Sequence, residues 1–282
     1  MTLGAWLDKG EAALRAGPHP EKARRDAELL LLYAAGMRRS AFLAHSGDEL
    51  DLAAATHYEV LLERRREGEP IQYITGACEF YGLPFRVTPD VLIPRPETEH
   101  LVERVLELAV AFTEPRIVDV GTGSGAIAVA LAHKMPNARI VAIDLSEAAL
   151  DVALENAKHN AVADRIRFLQ GDLLAPIASE TFDLVVSNPP YVPAADRETL
   201  AIEVREFEPG LALFAGEDGL EIYRRLIPDA FGVLASGGLI ALEMGFGQSD
   251  AVGRLLTAAG FLDVRFTADL QGIPRVALAR HP

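Results

Sequence analysis

Arg116-Ile117-Val118-Asp119-Val120-Gly121-Thr122-Gly123-Ser124-Gly125 decides how this chain folds. The apolar run at 116–120 is a short buried strand, three glycines then punctuate the chain, and an apolar helix is expected over about 125–133. The same alternation repeats on the C-terminal side. Apolar runs at 139–143, 166–169, 182–187 and 238–243 predict four more strands. Helices are expected at about 146–160, 219–235 and 248–259. Two last strands, 261–266 and 275–279, are joined by a loop. Repeating strand–helix units predict an α/β architecture: a doubly wound, mostly parallel seven-stranded sheet covered on both faces. Ligands of such sheets bind outside the carboxyl ends of the strands, where the strand order reverses.

Upstream the pattern differs. Residues 1–70 read as a small helical domain, with helices at 8–15, anchored by Trp6 and Leu7, and at 20–35, ending at Gly36. Ser40 is a candidate cap for a short third helix, and Asp51 for a longer one reaching Arg66. Residues 71–93 carry Tyr73, Phe80, Tyr81, Leu83, Phe85 and Val87 between Gly76, Gly82 and Pro84, which predicts a β-hairpin connector. The remaining 94–282 form the larger α/β domain, entered through Pro94-Arg95-Pro96 and a helix from Glu97 to about Phe112.

The 282 residues are 50% apolar and 24% charged, as expected of a globular chain with a sizeable core. No apolar run reaches membrane-spanning length, and acidic residues interrupt any signal-peptide pattern at the N-terminus. The single cysteine, Cys78, rules out an internal disulfide framework and fits a reducing cytoplasm. A net charge of −14 argues against nonspecific grip on nucleic-acid backbone, and no direct nucleic-acid partner is expected. Arg64-Arg65-Arg66 is the one strong basic run, read first as a solvated helix end and otherwise as a contact for an acidic partner. His57 is read as an ordinary surface or core histidine, and no metal site is expected.

The glycine loop has the spacing G-x-G-x-G, followed by Ala126. A dinucleotide fingerprint places its third glycine one residue later, so a tight pyrophosphate cradle is not what is written. An amino-acid-bearing nucleoside such as S-adenosylmethionine needs no phosphate site, and Gly121, Thr122, Gly123, Ser124 and Gly125 are the candidate residues for it. Asp144, about twenty residues on, ends the next strand and is a candidate acceptor for ribose hydroxyls. Asp172, after the third strand, is a candidate acceptor for the adenine amino group, with Leu173 packing on the ring. The plainer readings are a strand-to-helix turn for the loop, a helix cap for Asp144 and a turn aspartate for Asp172.

Asn188-Pro189-Pro190-Tyr191 follows the strand at 182–187. Two prolines stiffen the corner and restrain the residues before them. The Asn188 side-chain oxygen and the Pro189 carbonyl, beside the Tyr191 ring, suit gripping a planar NH2 group by both hydrogens. Asn188 and Pro189 are therefore the candidate catalytic residues, and Asn188, Pro189, Pro190 and Tyr191 the candidate substrate contacts. No histidine or cysteine is placed as an obligatory general base.

In this order, at the ends of successive strands, the loop, Asp144, Asp172 and Asn-Pro-Pro-Tyr resemble the class I S-adenosylmethionine-dependent methyltransferases that modify amino-type nitrogens. The helical N-terminal domain, Gln72-Tyr73-Ile74-Thr75-Gly76, the hairpin and Leu92-Ile93-Pro94-Arg95-Pro96-Glu97-Thr98-Glu99 narrow the resemblance to the release factor glutamine methyltransferase family. Glu208-Pro209, Gly216-Glu217-Asp218-Gly219-Leu220 and Tyr223-Arg224 add to it, and the similarity covers essentially the whole chain. The resemblance implies N5-methylation of the glutamine in the Gly-Gly-Gln motif of peptide chain release factors. It also implies that Gly121 to Gly125, Asp144, Leu173 and Asn188 line the cofactor site, while Asn188 to Tyr191 hold the glutamine. Leu173 departs from relatives that carry an aromatic there. Arg95, Glu97 and Thr98 either close over the cofactor or merely start a helix, and stay outside the catalytic set. Two rival readings are a nucleic-acid amino-group methyltransferase, since similar tetrapeptides serve adenine and guanine, and a noncatalytic module that binds a translation factor.

Overall fold

The computed structural model describes residues 1–269 and 271–282; Leu270, in the loop expected between the last two strands, lies outside the described residues. Contacts divide the chain into two compact units, Met1–Ala77 with Leu200–Phe207, and Cys78–Thr199 with Glu208–Pro282.

The first unit is helical: α1 (Leu3–Leu14), α2 (Ala23–Ala34), α3 (Arg39–His45), α4 (Leu52–Arg66) and α5 (Ile71–Thr75), joined by the later α9 (Ile202–Phe207). Its core is Leu3, Leu7, Leu14, Leu30, Leu31, Tyr58 and Leu61, with the Tyr58 hydroxyl donating to the Ala27 carbonyl at 3.1 Å. Asp51 caps α4 as expected, accepting from the Ala54 amide at 2.9 Å. Ser40 does not cap α3; the helix starts at Arg39, with Arg38 at the cap position, two residues before Ser40, and no side-chain cap bond. Nor do residues 71–75 belong to a hairpin. They form one more helical turn, closed by Gly76 in the left-handed region. The aromatic at Tyr73 suggested a strand, but its burial is that of one helical face.

Arg65 corrects a second expectation. Arg64 and Arg66 pair with Glu69 and Glu63 near the surface, whereas Arg65 turns inward and is 3% exposed. Its guanidinium lies 2.7 Å from Asp26 and 2.6 Å from Glu203 of α9. The segment Leu200–Phe207 thus joins the helical unit through a buried charge, a pairing that no local pattern announces.

The second unit contains the hairpin β1 (Ala77–Phe80) and β2 (Leu83–Arg86), then α6 (Pro96–Ala109), β3 (Arg116–Val120), α7 (Ala126–Lys134), β4 (Arg139–Asp144), α8 (Glu147–His159), β5 (Ile166–Gln170) and β6 (Phe182–Ser187). It finishes with α10 (Glu221–Val233), β7 (Leu234–Glu243), α11 (Ser249–Ala258), β8 (Leu262–Ala268) and β9 (Pro274–Arg280). The seven-stranded sheet runs β5-β4-β3-β6-β7-β9-β8, parallel except that β9 is antiparallel to both neighbours. The expected α/β sheet is therefore present, with the final pair closing it as an antiparallel edge.

Strand alternation sorts the core into two layers. Ile117, Ile140, Ala142, Leu184, Val186 and Ala241 pack with α6 and α7 on one face. Val118, Val120, Val141, Ile143, Val185, Ile240 and Leu242 pack with α10 and α11 on the other. The chain passes from β3 outward to β4 and β5, then returns to β6 and β7 on the other side of β3. That reversal puts the carboxyl ends of β3 and β6 side by side.

Replacing Arg65 with leucine leaves the buried Asp26 carboxylate without its cation and removes one of the cations beside the part-buried Glu203. The expected cost is about 3 to 5 kcal/mol, read as lost hydrogen-exchange protection in α2 and α4; unchanged protection there would refute the role given to this ion group.

Candidate active site

Three features meet at the switch point: the glycine loop after β3, the end of β4, and the corner after β6. The loop is held from below. The Gly121 and Thr122 amides donate to the Ile143 carbonyl at 2.8 and 2.9 Å, and the Gly125 amide to Thr122 at 2.8 Å. Gly121 and Gly123 have φ of +71° and +55°, a region that a side chain rarely tolerates, and a Cβ on either would project into open space. The loop thus offers room above its backbone.

Asp119 anchors this loop from within the sheet. Fully buried, its Oδ2 accepts from the Thr122 hydroxyl at 2.6 Å and the Ala128 amide at 3.2 Å, while Oδ1 has no hydrogen-bond partner. Burial pushes its carboxyl up from 3.8 to about 7, against the lowering effect of those two bonds. Asp144 completes the loop from β4, with Oδ2 accepting from the Gly123 amide at 2.8 Å and Oδ1 from the Ser146 amide at 2.9 Å. Ser146, not Asp144, caps α8, by accepting from the Ala149 amide at 3.2 Å.

The loop is also tied sideways by Asn156 of α8, which is 1% exposed. Its amide donates to the Arg86 carbonyl at 2.9 Å and the Ser124 carbonyl at 2.8 Å, and its oxygen accepts from the Arg86 amide at 2.7 Å. The hairpin, the loop and α8 share this one carboxamide. Sequence reasoning passed over Asn156; an amide inside an alanine-rich helix was the available signal.

Further along the edge, Asp172 is exposed and pairs with Arg225 at 2.5 Å. Leu173 follows with φ +50° and packs partly against the apolar layer under α10. Such a φ on a leucine is uncommon and marks a constrained turn.

The corner after β6 is the most closely determined part. Ser187 donates to the Val120 carbonyl at 2.6 Å, locking β6 to β3 immediately before the corner. The Asn188 amide nitrogen donates to Thr98 Oγ1 at 3.1 Å, and the Thr98 hydroxyl donates to Glu243 Oε2 at 2.6 Å. Thr98 and Glu243 are both buried. Pro189 is buried, and Tyr191 is half-buried with its hydroxyl 3.5 Å from Glu243 Oε1. Gln248 fixes the outgoing chain, donating to the Tyr191 carbonyl at 3.0 Å and the Gly219 carbonyl at 3.2 Å. A Cβ at Gly219 would lie 2.3 Å from that Tyr191 carbonyl, so the backbone can approach only without a side chain. Arg95, at the start of α6, pairs with both oxygens of Glu208 at 2.6 and 2.7 Å. Thr98, Glu243 and Gln248 are site residues outside the candidate set; Thr98 and Glu243 lie 145 positions apart in sequence.

Chemically, the edge around the loop presents acceptors: the part-buried Asp144 carboxylate and the Asn188 carboxamide oxygen. Such a set suits a ligand that brings hydroxyl and ammonium donors, with open space over Gly121 and Gly123 to receive it. The residues therefore fit an amino-acid-bearing nucleoside. Among the described residues no cluster of histidine, cysteine or carboxylates is arranged to hold a metal ion.

Residues 97–205 match the family model described as the methyltransferase small domain, and residues 5–76 match the PrmC N-terminal domain. A release factor glutamine methyltransferase of Moorella thermoacetica is 46% identical, covering 99% of this chain and 98% of its own. One of Escherichia coli is 40% identical, covering 100% of this chain and 99% of its own. A solved methyltransferase from Pyrococcus furiosus superposes with a TM-score of 0.51 at 19% identity, over 71% of this chain and 89% of that one, a likeness of fold.

Two outcomes check this geometry. Replacing Asn156 with alanine strips partners from the buried Ser124 carbonyl and from the part-buried Arg86 backbone bonds, with an expected cost of about 2 to 3 kcal/mol in denaturant unfolding. Asp119 binds its proton more tightly folded than unfolded, so it favours the folded state most below pH 4, and that contribution declines as pH rises from about 4 to about 7. In Asp119→Asn that decline disappears, so its Tm relative to wild type is expected to be more favourable at pH 8 than at pH 5. An equal offset at both pH values would remove the buried-carboxylate account.

Proposed function

This chain belongs to the release factor glutamine methyltransferase family, and on that premise we propose that it methylates a glutamine of peptide chain release factors. The target is the N5 amide nitrogen of the glutamine in their Gly-Gly-Gln motif, with S-adenosylmethionine as methyl donor. The observation that carries the reading is the Asn188 carboxamide, whose NH2 is engaged by Thr98 so that its oxygen is the end left for a substrate.

S-adenosylmethionine supplies a strongly electrophilic methyl group on a sulfonium. Gly121 to Gly125 give it space at the backbone, Asp144 accepts from its ribose hydroxyls, and Asp172 and Leu173 face its adenine. Asn188 borders it at the transfer point. An amide nitrogen is a poor nucleophile, because its lone pair is delocalised into the carbonyl. The Asn188 oxygen and the Pro189 carbonyl accept its two hydrogens, which orients the lone pair and converts a bimolecular encounter into a placed one. Both acceptors also favour the positive charge that develops on nitrogen during transfer. Pro190 and Tyr191 flank the planar amide. No side chain is needed as a strong base, since the methylated nitrogen is acidic enough to release its proton to water.

The helical unit, expected at residues 1–70, is assigned the recognition of the release factor, residues 71–93 the connection, and 94–282 the chemistry. Translation factors work in the cytoplasm, which is where this reading places the enzyme. No helix among the described residues is long and apolar enough to cross a membrane.

The direct test is incubation with labelled cofactor and a purified release factor, then location of the methyl group by mass spectrometry. Transfer to the Gly-Gly-Gln glutamine is expected, and none to a Gly-Gly-Ala variant; a methyl group found elsewhere, or nowhere, would sink the reading. Asn188→Ala is expected to lower kcat by about 10²- to 10³-fold, the scale for losing one preorganised partner of transition-state charge. Cofactor affinity should stay within a factor of about two in that variant, because the change falls on transition-state stabilisation and not on ground-state binding. In Asp144→Ala the cofactor Kd, measured by calorimetry, should instead rise at least about tenfold with loss of a charge-assisted hydrogen bond.

A further inference from the structure

The hydrogen bonds behind Asn188 run in one direction, and a buried carboxylate sets that direction. Glu243 closes β7, the strand beside β6, and is 1% exposed. Its backbone carbonyl accepts from the Tyr223 hydroxyl at 2.7 Å, which fixes the residue from the α10 side. Its Oε2 accepts the Thr98 hydroxyl proton at 2.6 Å. A threonine hydroxyl has a single proton, so once that proton is given to Glu243 the oxygen can only accept from its other neighbour. That neighbour is the Asn188 side chain, 3.1 Å away. Asn188 must therefore offer its NH2 to Thr98 and present its oxygen on the opposite side.

We propose that Glu243 is a positioning residue for methyl transfer, its ionised carboxylate taking the Thr98 proton and so compelling Asn188 to aim its oxygen at the substrate amide. The inference rests on the functional reading above for its consequence, though its geometry is independent of it. When Glu243 is protonated, the carboxylic acid can donate to Thr98. The Thr98 proton is then free to turn to Asn188, whose carboxamide can flip and present its NH2. Two NH2 groups face to face cannot hydrogen-bond, and the grip on the substrate is lost.

The surroundings put this switch within reach of ordinary conditions. Burial pushes the Glu243 carboxyl up to about 7, and the charge of Glu97 on α6 adds to the rise. The Thr98 bond, Arg275 on β9 and the Tyr191 hydroxyl oppose it. Tyr223 faces it from α10 with its phenol held neutral by burial. Among these neighbours the Thr98 hydroxyl is the one through which the state of Glu243 reaches Asn188.

The test uses the full chain and four variants. In wild type, kcat on a release factor should fall about tenfold per pH unit below pH 7, as one ionisation is lost. In Glu243→Gln, whose side-chain oxygen can still accept from Thr98 but does not titrate, that acid limb should vanish. Thr98→Val should lower kcat at least about tenfold at pH 8 with KM nearly unchanged, and Thr98→Ser should restore it to within about threefold, the pattern of an interaction made in the transition state. A second readout needs no turnover: the side-chain NH2 resonances of Asn188, identified by their absence in Asn188→Ala, should shift with a midpoint near 7 in wild type and stay still in Glu243→Gln. An acid limb that persists in Glu243→Gln, full activity in Thr98→Val, or NH2 resonances that ignore pH would each overturn the proposal. Because the resonances report on the apo chain, the positioning role stands or falls on them even if no release factor is methylated, a result that would sink only the functional reading.

Discussion

Burial of a parallel sheet on both faces is the constraint from which the rest follows. In β3, β4 and β6 nearly every side chain is inside an apolar layer. Polar chemistry is thereby excluded from the strand interiors and pushed to the residue at which each strand ends. Asp119, Asp144, Asn188 and Glu243 all stand at or beside such ends. At that edge they face a second demand, that a buried polar group must be satisfied. The first turn of α6 serves Asn188 and Glu243 through Thr98, while Asp119 and Asp144 are served by the glycine loop and by Ala128 and Ser146 at the starts of α7 and α8. The backbone around them is tied in turn by Asn156 of α8 and by Gln248 at the start of α11. The site is thus a set of solutions to a hydrogen-bonding problem posed by the sheet.

The alternation of short apolar runs with helical segments made the sheet readable in advance, because period-two burial and glycine punctuation act over a few residues. Asp51 as a cap was readable for the same reason. The corner Asn188–Tyr191 announced itself by two prolines. What the sequence did not disclose was pairing at a distance. Arg65 looked like one of three solvated arginines, and only contact with Asp26 and Glu203 turns it inward. Thr98 read as either part of a closure over the cofactor or part of a helix start, since its bond to Glu243 at the end of β7 has no local signature. Residues 71–75 misled because an aromatic flanked by isoleucines fits a strand and one helical face about equally well.

Belonging to a family and understanding a site are different achievements here. Identity of 46% over 99% of the chain assigns the family without any geometry. It does not say why Asn188 holds its oxygen outward, why Gly219 must lack a side chain, or why a carboxylate lies buried behind a neutral hydroxyl. Those answers are local and physical, and each stands on a distance or a clash within the second unit.

Two buried carboxyls at one sheet edge, each raised to about 7, also need a reason to be retained. Both resist ionisation in the fold, so each costs stability once the pH exceeds its unfolded value. Asp119 meets that cost with bonds from Thr122 in the loop it holds and from Ala128 in the first turn of α7, and its influence ends there. Glu243 differs because its bond is to a hydroxyl with a second partner. An amide in its place could still accept from Thr98, but it could equally turn and donate, and the direction of the chain would no longer be set. Only an acceptor without a proton leaves Thr98 one arrangement, and among side chains of that size a carboxylate is the strong acceptor that has no donor. Tolerating the desolvation of Glu243 is the consequence of requiring Asn188 to face one way.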